Sequence, residues 1–529
     1  MNRGKKLSFA AFCALIIISS IQANAQNMYD AYRFSQQYWE GTARSVAMGN
    51  AVVALGGDMG AIPINPAASG VYRYSELIFT PALTNMNSKV NYLGNNTSDN
   101  KTRFGVSNFG YVGSFQTGRT NSGLINWNLG VVFNKANNFT SRMSASGRTN
   151  QSSWLSSLAQ STNGIHATLL DINDKYDPYY QGFPWNSILG WNTSLLDTLP
   201  DSGFDYRGAT ENLDPVNMGI GVGGELDQHF ARESIGSISE VTINLGGNIS
   251  NKLFFGFNLG IQSIWYKYSE LYSETAVNSY NFQTGFEHFS HTYNTKTSGT
   301  GVNLKFGLIY LPFKGLRLGA SISTPTWMFL YNEYEESMYS RFNDGYDQSL
   351  ASPLGTFNYR INTPFRWNVG AAYTIGNIGA LSVDYERVNY SQMKMKDDNN
   401  NAGEFAEDNR AIKKLFTNAN ILRAGMEIKL LPEVALRAGY QYYTSGEMDL
   451  ERNKAVATTQ QYGSVGLGYI SKSGFFADIA YQQQLQKTSE KFWLYDDIYD
   501  GSGNVLTPAP EGINKFGNFK ILLSVGFRF

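Results

Sequence analysis

The sequence predicts an all-β chain, a fourteen-stranded antiparallel transmembrane β-barrel with a small N-terminal hatch plugging its lumen. Three observations carry that prediction. Apolar and polar side chains alternate over run after run, compact turns between the runs interleave with long loops, and the last run keeps its alternation to the final residue, Phe529. Mean hydropathy is −0.30, yet aromatic residues make up 14% of the chain and 53 of 529 residues are glycine. Hydropathy alone would read this as a secreted soluble protein. A barrel escapes that reading because its lipid-facing and lumen-facing residues alternate.

The N-terminal residues set the compartment. Arg3, Lys5 and Lys6 precede an apolar stretch from Leu7 to Ile21, and Ala23-Asn24-Ala25 is a small-x-small cleavage site. Residues 1–25 therefore read as a signal peptide, with Gln26 the first mature residue. The single cysteine, Cys13, lies in this leader, so the mature chain has no disulfide and no thiolate metal site.

Residues 26–70 show no period of two and are expected to form the hatch. The small-residue segment Ser45–Leu55 reads as a short helix stopped by Gly56 and Gly57. Asn65-Pro66 ends the segment, since proline fixes φ and pushes its predecessor out of the helical region. Gly49, Gly56, Gly57, Asn65, Pro66 and Ala67 are the candidate hatch and gating residues.

Residues 71–529 read as the barrel. In 125–134 one face carries Ile, Trp, Leu, Val and Phe, the other Asn, Asn, Gly, Val and Asn. The same period joins 241–249 to 253–261 across a Ser-Asn-Lys turn, and further hairpins cross "PFKG", "IGNIG", "LPE" and "SKSG". Strands are expected to begin near 76, 102, 124, 238, 253, 300, 315, 364, 379, 419, 434, 460, 474 and 516. Compact turns and long loops then alternate without exception, including loops near 137–237, 269–299, 325–363 and 486–515. Short periplasmic turns and long external loops are what an up-and-down outer-membrane barrel requires. On the last strand Phe519, Ile521, Leu523, Val525, Phe527 and Phe529 share one face, and Phe527 and Phe529 look like the assembly signal that bacterial barrels present to the barrel assembly machinery.

Other chemistry finds little footing. His288 and His291 fall on opposite faces of a strand, and Gly219-x-Gly221-x-x-Gly224 lacks the βαβ setting of a dinucleotide site. No cofactor, metal, nucleic-acid partner or enzyme activity is expected. Inward charges, among them Lys305, Arg317, Arg366, Asp384, Glu386, Arg423, Glu427, Arg437, Asp478 and Arg528, are expected to pair with one another and with hatch residues Asp30, Arg33, Glu40, Arg44 and Asp58.

The segment "ARSVAMGNAVVALGGDMGAIPINPAASG" resembles the N-terminal hatch signature of the FadL-type outer-membrane transporters of long-chain fatty acids and aromatic hydrocarbons. "LKFGLIYLPFKGLRLGASISTPT", "TPFRWNVGAAYTIGNIGALSVDYERVNYS", "EIKLLPEVALRAGYQYYTS" and "VGLGYISKSGFFADIAYQ" resemble that family's later hairpins in order. The resemblance implies a monomeric barrel in the outer-membrane lipid and passive uptake of a hydrophobic small molecule, gated by the hatch and released sideways into the membrane. It also implies a kink in the third strand, for which Gly130 is the candidate. Trp154, Trp185 and Trp191, in the long loop, are candidates for an external ligand-landing site, with the core of a folded loop as the competing reading. The alternative function is that of a FadL-like barrel shuttling cargo in type IX secretion.

Overall fold

The structure, a computed structural model, describes residues 27–200, 202–214, 216, 219–449, 454–455 and 459–529; the expected signal peptide lies outside the described residues. Fourteen wall strands run in chain order. They are β1 (Glu76–Tyr92), β2 (Asn95–Gln116), β3 (Leu124–Asn138, continued by Ser141–Thr149), β4 (Leu226–Ile249), β5 (Leu253–Ala276), β6 (Phe286–Tyr310) and β7 (Leu316–Ser323 and Trp327–Phe342). There follow β8 (Asp347–Ala351, Gly355–Asn362 and Arg366–Ile375), β9 (Gly379–Asn389 and Lys394–Asp397), β10 (Asn418–Lys429), β11 (Val434–Thr444), β12 (Thr459–Ile470), β13 (Phe475–Gln484 and Thr488–Trp493) and β14 (Glu511–Arg528). Every neighbouring pair is antiparallel, and β1 pairs with both β2 and β14, which closes the barrel.

The alternation read from the sequence is the in-and-out pattern of the wall. Val131 is 51% exposed while Asn128 and Asn134, three residues to either side and so on the opposite face, are fully buried. Leu245, Phe257 and Ile479 likewise point outward, and Asn244, Asn258 and Asp478 inward. Apolar outside and polar inside inverts the order of a water-soluble protein, and suits a wall whose outer solvent is hydrocarbon. No helix among the described residues is long and apolar enough to cross a membrane.

Strand length departs from expectation on one side. β4, β5 and β6 are 24, 24 and 25 residues long, against 12 for β10 and 11 for β11. A span needs only about 9 to 11 residues, so β4–β6 project well beyond the membrane at the long-loop end. The loops expected at 269–299 and 325–363 are therefore mostly strand, and the loop expected at 137–237 contracts to the segment between Thr149 and Leu226. Beyond the bilayer neither face meets lipid, so the sharp alternation that marks a strand in sequence fades.

That contracted segment folds as a cap. Helices Trp154–Thr162 and Trp185–Asn192 and two short hairpins bury Leu155, Leu158, Ile188, Leu189 and Leu195 against Tyr272, Phe286, Phe289, Met338 and Phe342 of the tall wall. The helix at Trp154 is capped by Ser153 and rests on Glu274 of β5, whose carboxylate accepts from Trp154 N–H at 2.9 Å and from Ser153 Oγ at 2.5 Å.

Candidate functional site

The hatch lies inside the barrel. Helices α1 (Met28–Ser35) and α2 (Ala43–Ala47) and a 3-10 turn, Pro66–Val71, are its regular elements. The expected helix over Ser45–Leu55 stops early: Gly49 and Asn50 take φ of +62° and +52°, and the chain beyond is fastened to the wall residue by residue. A segment with so little regular structure must find partners for its backbone carbonyls elsewhere, and inward wall side chains supply them. Asn126 donates to Tyr72 O, Asn128 to Ser69 O, Asn244 to Pro66 O, Asn258 to Ile62 O and Lys305 to Pro63 O, all at 2.7–3.0 Å. Asp384 accepts from Val53 N–H at 2.8 Å.

Close approach of hatch to wall needs wall residues without side chains. A Cβ at Gly256, Gly307, Gly319, Gly425 or Gly439 would overlap Pro66 O, Asn65 Oδ1, Val53 O, Met48 O or Gly49 N respectively. Five strands thus each offer a glycine to the hatch, four to its backbone and Gly307 to the Asn65 side chain, a pattern the sequence reading did not pick out. Asn65 caps the 3-10 turn by accepting from Ala67 N–H at 3.0 Å and donates to Val53 O at 2.6 Å and Leu308 O at 3.2 Å. Pro66 and Ala67 are buried beneath it. Gly56 and Gly57 have φ of +61° and +66° and turn the chain back toward Ala68, whose carbonyl accepts from Gly57 N–H at 3.0 Å.

The lumen charges pair largely as expected. Arg366 and Arg423 share Glu386 at 2.8 and 2.6 Å, Arg44 and Arg437 share Glu427 at 3.1 and 2.6 Å, and Lys305 meets Glu240 at 2.6 Å. Glu40 of the hatch lies 2.8 Å from Lys520 and 3.5 Å from Lys135, two partners the sequence reading did not name. Burial pushes the Glu40 pKa up, but these two ammonium groups more than offset it and hold the carboxyl down at about 2.

Glu40 stands beside a seam in the wall. The ladder between β2 and β3 ends at Asn108–Asn134; beyond it β2 pairs with β1 alone, while β3 shifts register between Lys135 and Asn137 and follows β4. The hatch occupies the vacated positions. Tyr38 N–H donates to Ala136 O at 2.8 Å, Glu40 N–H to Lys135 O at 3.0 Å, and Ser107 Oγ to Gly41 O at 2.8 Å. Farther out the seam is closed by side chains, with Asn95 on Ser146 at 2.9 Å and Ser144 on Asp99 at 2.5 Å. Gly130 is paired in register with Val112 and Asn244, so the break begins nearer the long-loop end than the glycine that the resemblance pointed to.

A cavity of about 170 Å³ sits where the hatch, the seam and the low wall meet. Its lining includes Gln36, Tyr38 and Trp39 of the hatch, Asn137–Thr140 of the seam, and Gln441, Tyr462, Gln482 and Phe516 of the wall. A second cavity of about 370 Å³ adjoins it through Gln36, Tyr38, Gln460 and Phe516. A larger one, about 450 Å³, opens at the short-turn end below the hatch among Arg44, Arg317, Arg437, Glu427 and Asp478. It is lined by the ion pairs that fasten the hatch and is set apart from the seam.

The three tryptophans lie in the packing of the cap. Trp154 stacks on His291 with ring centroids 5.1 Å apart, Trp185 stacks on Tyr334 at 4.8 Å, and Trp191 donates from Nε1 to Asp171 at 2.7 Å. At the chain's end Phe529 exchanges two backbone hydrogen bonds of 3.0 Å with Ser75 and stacks on Tyr111 at 6.2 Å, while Phe527 faces outward.

No protein-family model and no curated protein matches the chain. Among solved structures, the deltaS2 and the deltaS2S3 mutants of the TodX monoaromatic hydrocarbon channel each superpose with a TM-score of 0.50 at 13% identity, over 93% of this chain and 99% of theirs. A Pseudomonas aeruginosa FadL homologue follows at 0.49 and 14%, over 93% and 99%. The two TodX structures establish a shared barrel fold. A closed antiparallel barrel with an apolar outer face belongs in the bacterial outer membrane.

Proposed function

We propose that this protein is an outer-membrane channel through which small hydrophobic molecules pass passively, entering from the capped end and leaving sideways into the membrane through the seam between β2 and β3. The observation that carries the reading is the seam itself: an interrupted ladder, backed by hatch residues 38–41, with a cavity against its inner side. The axial route is closed by the hatch, whose backbone is bonded to the wall on many strands. A sideways exit spares an apolar solute the passage through periplasmic water, which would forfeit about 25 cal/mol for each Å² of its apolar surface. The fold shared with a monoaromatic hydrocarbon channel and the hatch resemblance support the same reading. The cap packs Leu155, Leu158, Ile188, Leu189 and Leu195 into its own core and leaves Tyr180, Phe204 and Val216 exposed; no specific observation favours the cargo-shuttle alternative.

The test is flux of a radiolabelled apolar solute into liposomes holding the purified barrel. Gly105 lies on β2 at the seam, where an added Cβ would meet only Lys135 Nζ, at 3.1 Å. Gly105→Trp should slow flux sharply while the barrel still folds. Equal flux through wild type and variant would refute the sideways exit, and no flux through either would refute the channel.

A further inference from the structure

The cavity beside the seam is not lined as a bare hydrocarbon would require. Trp39, Phe139, Tyr462 and Phe516 offer ring faces and edges. Interleaved with them are amides and a hydroxyl: Gln441 and Gln484, which flank Tyr462 in register, Gln482 on the wall and Thr140 at the seam. Two of these are unsatisfied. Gln441 is 3% exposed; its Oε1 accepts from the Tyr443 hydroxyl at 2.9 Å, which orients the amide and leaves Nε2 without a partner. Thr140 is 2% exposed and its Oγ1 is also unpartnered. Buried donors without acceptors are rare and carry a desolvation penalty that a ligand bearing an acceptor removes.

The charges nearby narrow the class. Lys520 lines the cavity, but its ammonium is held by Glu40 at 2.8 Å, and Lys135 is held by the same carboxylate. No free cation among the described lining residues awaits an anion. An ionised carboxylate would therefore be desolvated there without a counter-charge.

We infer that this cavity takes small amphipathic molecules, about one ring in size, that carry an uncharged hydrogen-bond acceptor such as a phenol, aldehyde or amide oxygen. The ring packs against Trp39, Phe139 and Phe516, and the acceptor meets Gln441 Nε2 after a side-chain adjustment, with Thr140 Oγ1 a second unpartnered group on the same lining. A dry cavity of about 150 Å³ in another protein holds benzene, so the size fits a single substituted ring. The inference rests on the channel reading for why a ligand reaches the cavity, and it names the chemistry of that ligand.

Calorimetry on the full barrel in lipid nanodiscs, with toluene, p-cresol and benzoate as probes, tests it. The cresol should bind about tenfold more tightly than toluene, as one to two well-made neutral hydrogen bonds allow, and benzoate should bind more weakly than the cresol. Gln441→Leu should bring the cresol-to-toluene ratio toward one. Thr140→Val is the second variant should the first fail to give heat-modifiable, folded barrel. Toluene binding as tightly as the cresol, as it would if water satisfied Gln441 and Thr140, overturns the inference and leaves the channel reading standing. A cresol preference that survives both substitutions overturns the assignment to this cavity. Binding of none of the three probes removes the channel reading and this inference together.

Discussion

Glu40 and Lys135 are joined twice, once through the backbone, where Glu40 N–H donates to Lys135 O at 3.0 Å, and once through the side chains, 3.5 Å apart. The first contact puts the hatch in the place of a missing strand pair at the seam. The second, with Lys520 on the far side, locks it there.

That lock should release in acid. The Glu40 carboxyl titrates at about 2 in the folded protein against an ordinary value of 4.5. A depressed carboxyl stabilises the seated hatch at every pH above its unfolded value, and the contribution, on the order of 3 kcal/mol, is lost as pH falls from the ordinary value toward 2. Planar-bilayer conductance should stay near zero from neutral pH down to about 4 and then rise in steps. Glu40→Gln leaves two partly buried ammonium groups without their carboxylate and should open intermittently even at neutral pH. A variant as tightly closed as wild type would show that the pair does not hold the hatch.

The glycine seats give a second expectation. Gly256→Ala or Gly307→Ala puts a methyl into Pro66 O or Asn65 Oδ1, both buried, so the hatch must shift while the outer face of the strand is untouched. Barrel yield and heat-modifiable migration should hold, and conductance should rise. Gly130→Ala meets Val112 Cγ2 at 3.2 Å and no hatch atom, and should change neither closure nor lateral flux. Lost flux in Gly130→Ala would return the exit to that position.

Phe529 supplies a third. Its backbone completes the β14–β1 closure at Ser75, and its ring stacks on Tyr111 of β2. Deleting it removes one backbone pair and an aromatic contact worth about 1 kcal/mol, too little to unfold a finished barrel. The expected result is therefore kinetic: less assembled barrel in the outer membrane, with normal stability of what does assemble, read by surface labelling and by thermal unfolding of the purified protein. Normal assembly of the deletion would remove the reading of Phe527 and Phe529 as an assembly signal.

Much of the wall was legible because two solvents act on it. Where one face meets lipid and the other the hatch, a one-residue slip would expose Asn244 to hydrocarbon, so the alternation is strict and the starts of β1, β3, β5 and β9 are read to the residue. Above the bilayer that constraint lapses, and the upper halves of β4–β8 carry the sequence pattern of loop. The hatch seats were hidden for another reason: a glycine such as Gly319 is informative only once its partner, Val53 O, is known, and that partner lies far away in sequence. The seam was illegible too, because it is an absence of pairing along β2, whose own residues continue as an ordinary strand with β1.

The cap offers the last test, one that separates its two sequence readings. Trp154 packs between His291, Phe289 and Tyr272 at the root of the cap, directly after the Ser153–Glu274 contact. If the ring is structural, Trp154→Ala loses a large contact, roughly 3 kcal/mol, and frees the segment between Thr149 and Leu226 to move. Limited proteolysis should then cut that segment in the variant and not in wild type. Ligand exchange should become faster at nearly unchanged equilibrium affinity, since the cavity lies below the cap and shares none of these residues. If the ring instead captures ligand from outside, the cap stays resistant to protease, the association rate falls, and Trp185→Ala and Trp191→Ala reproduce the loss. Stopped-flow binding alongside proteolysis distinguishes the two, because the structural role predicts a faster association rate and the landing role a slower one.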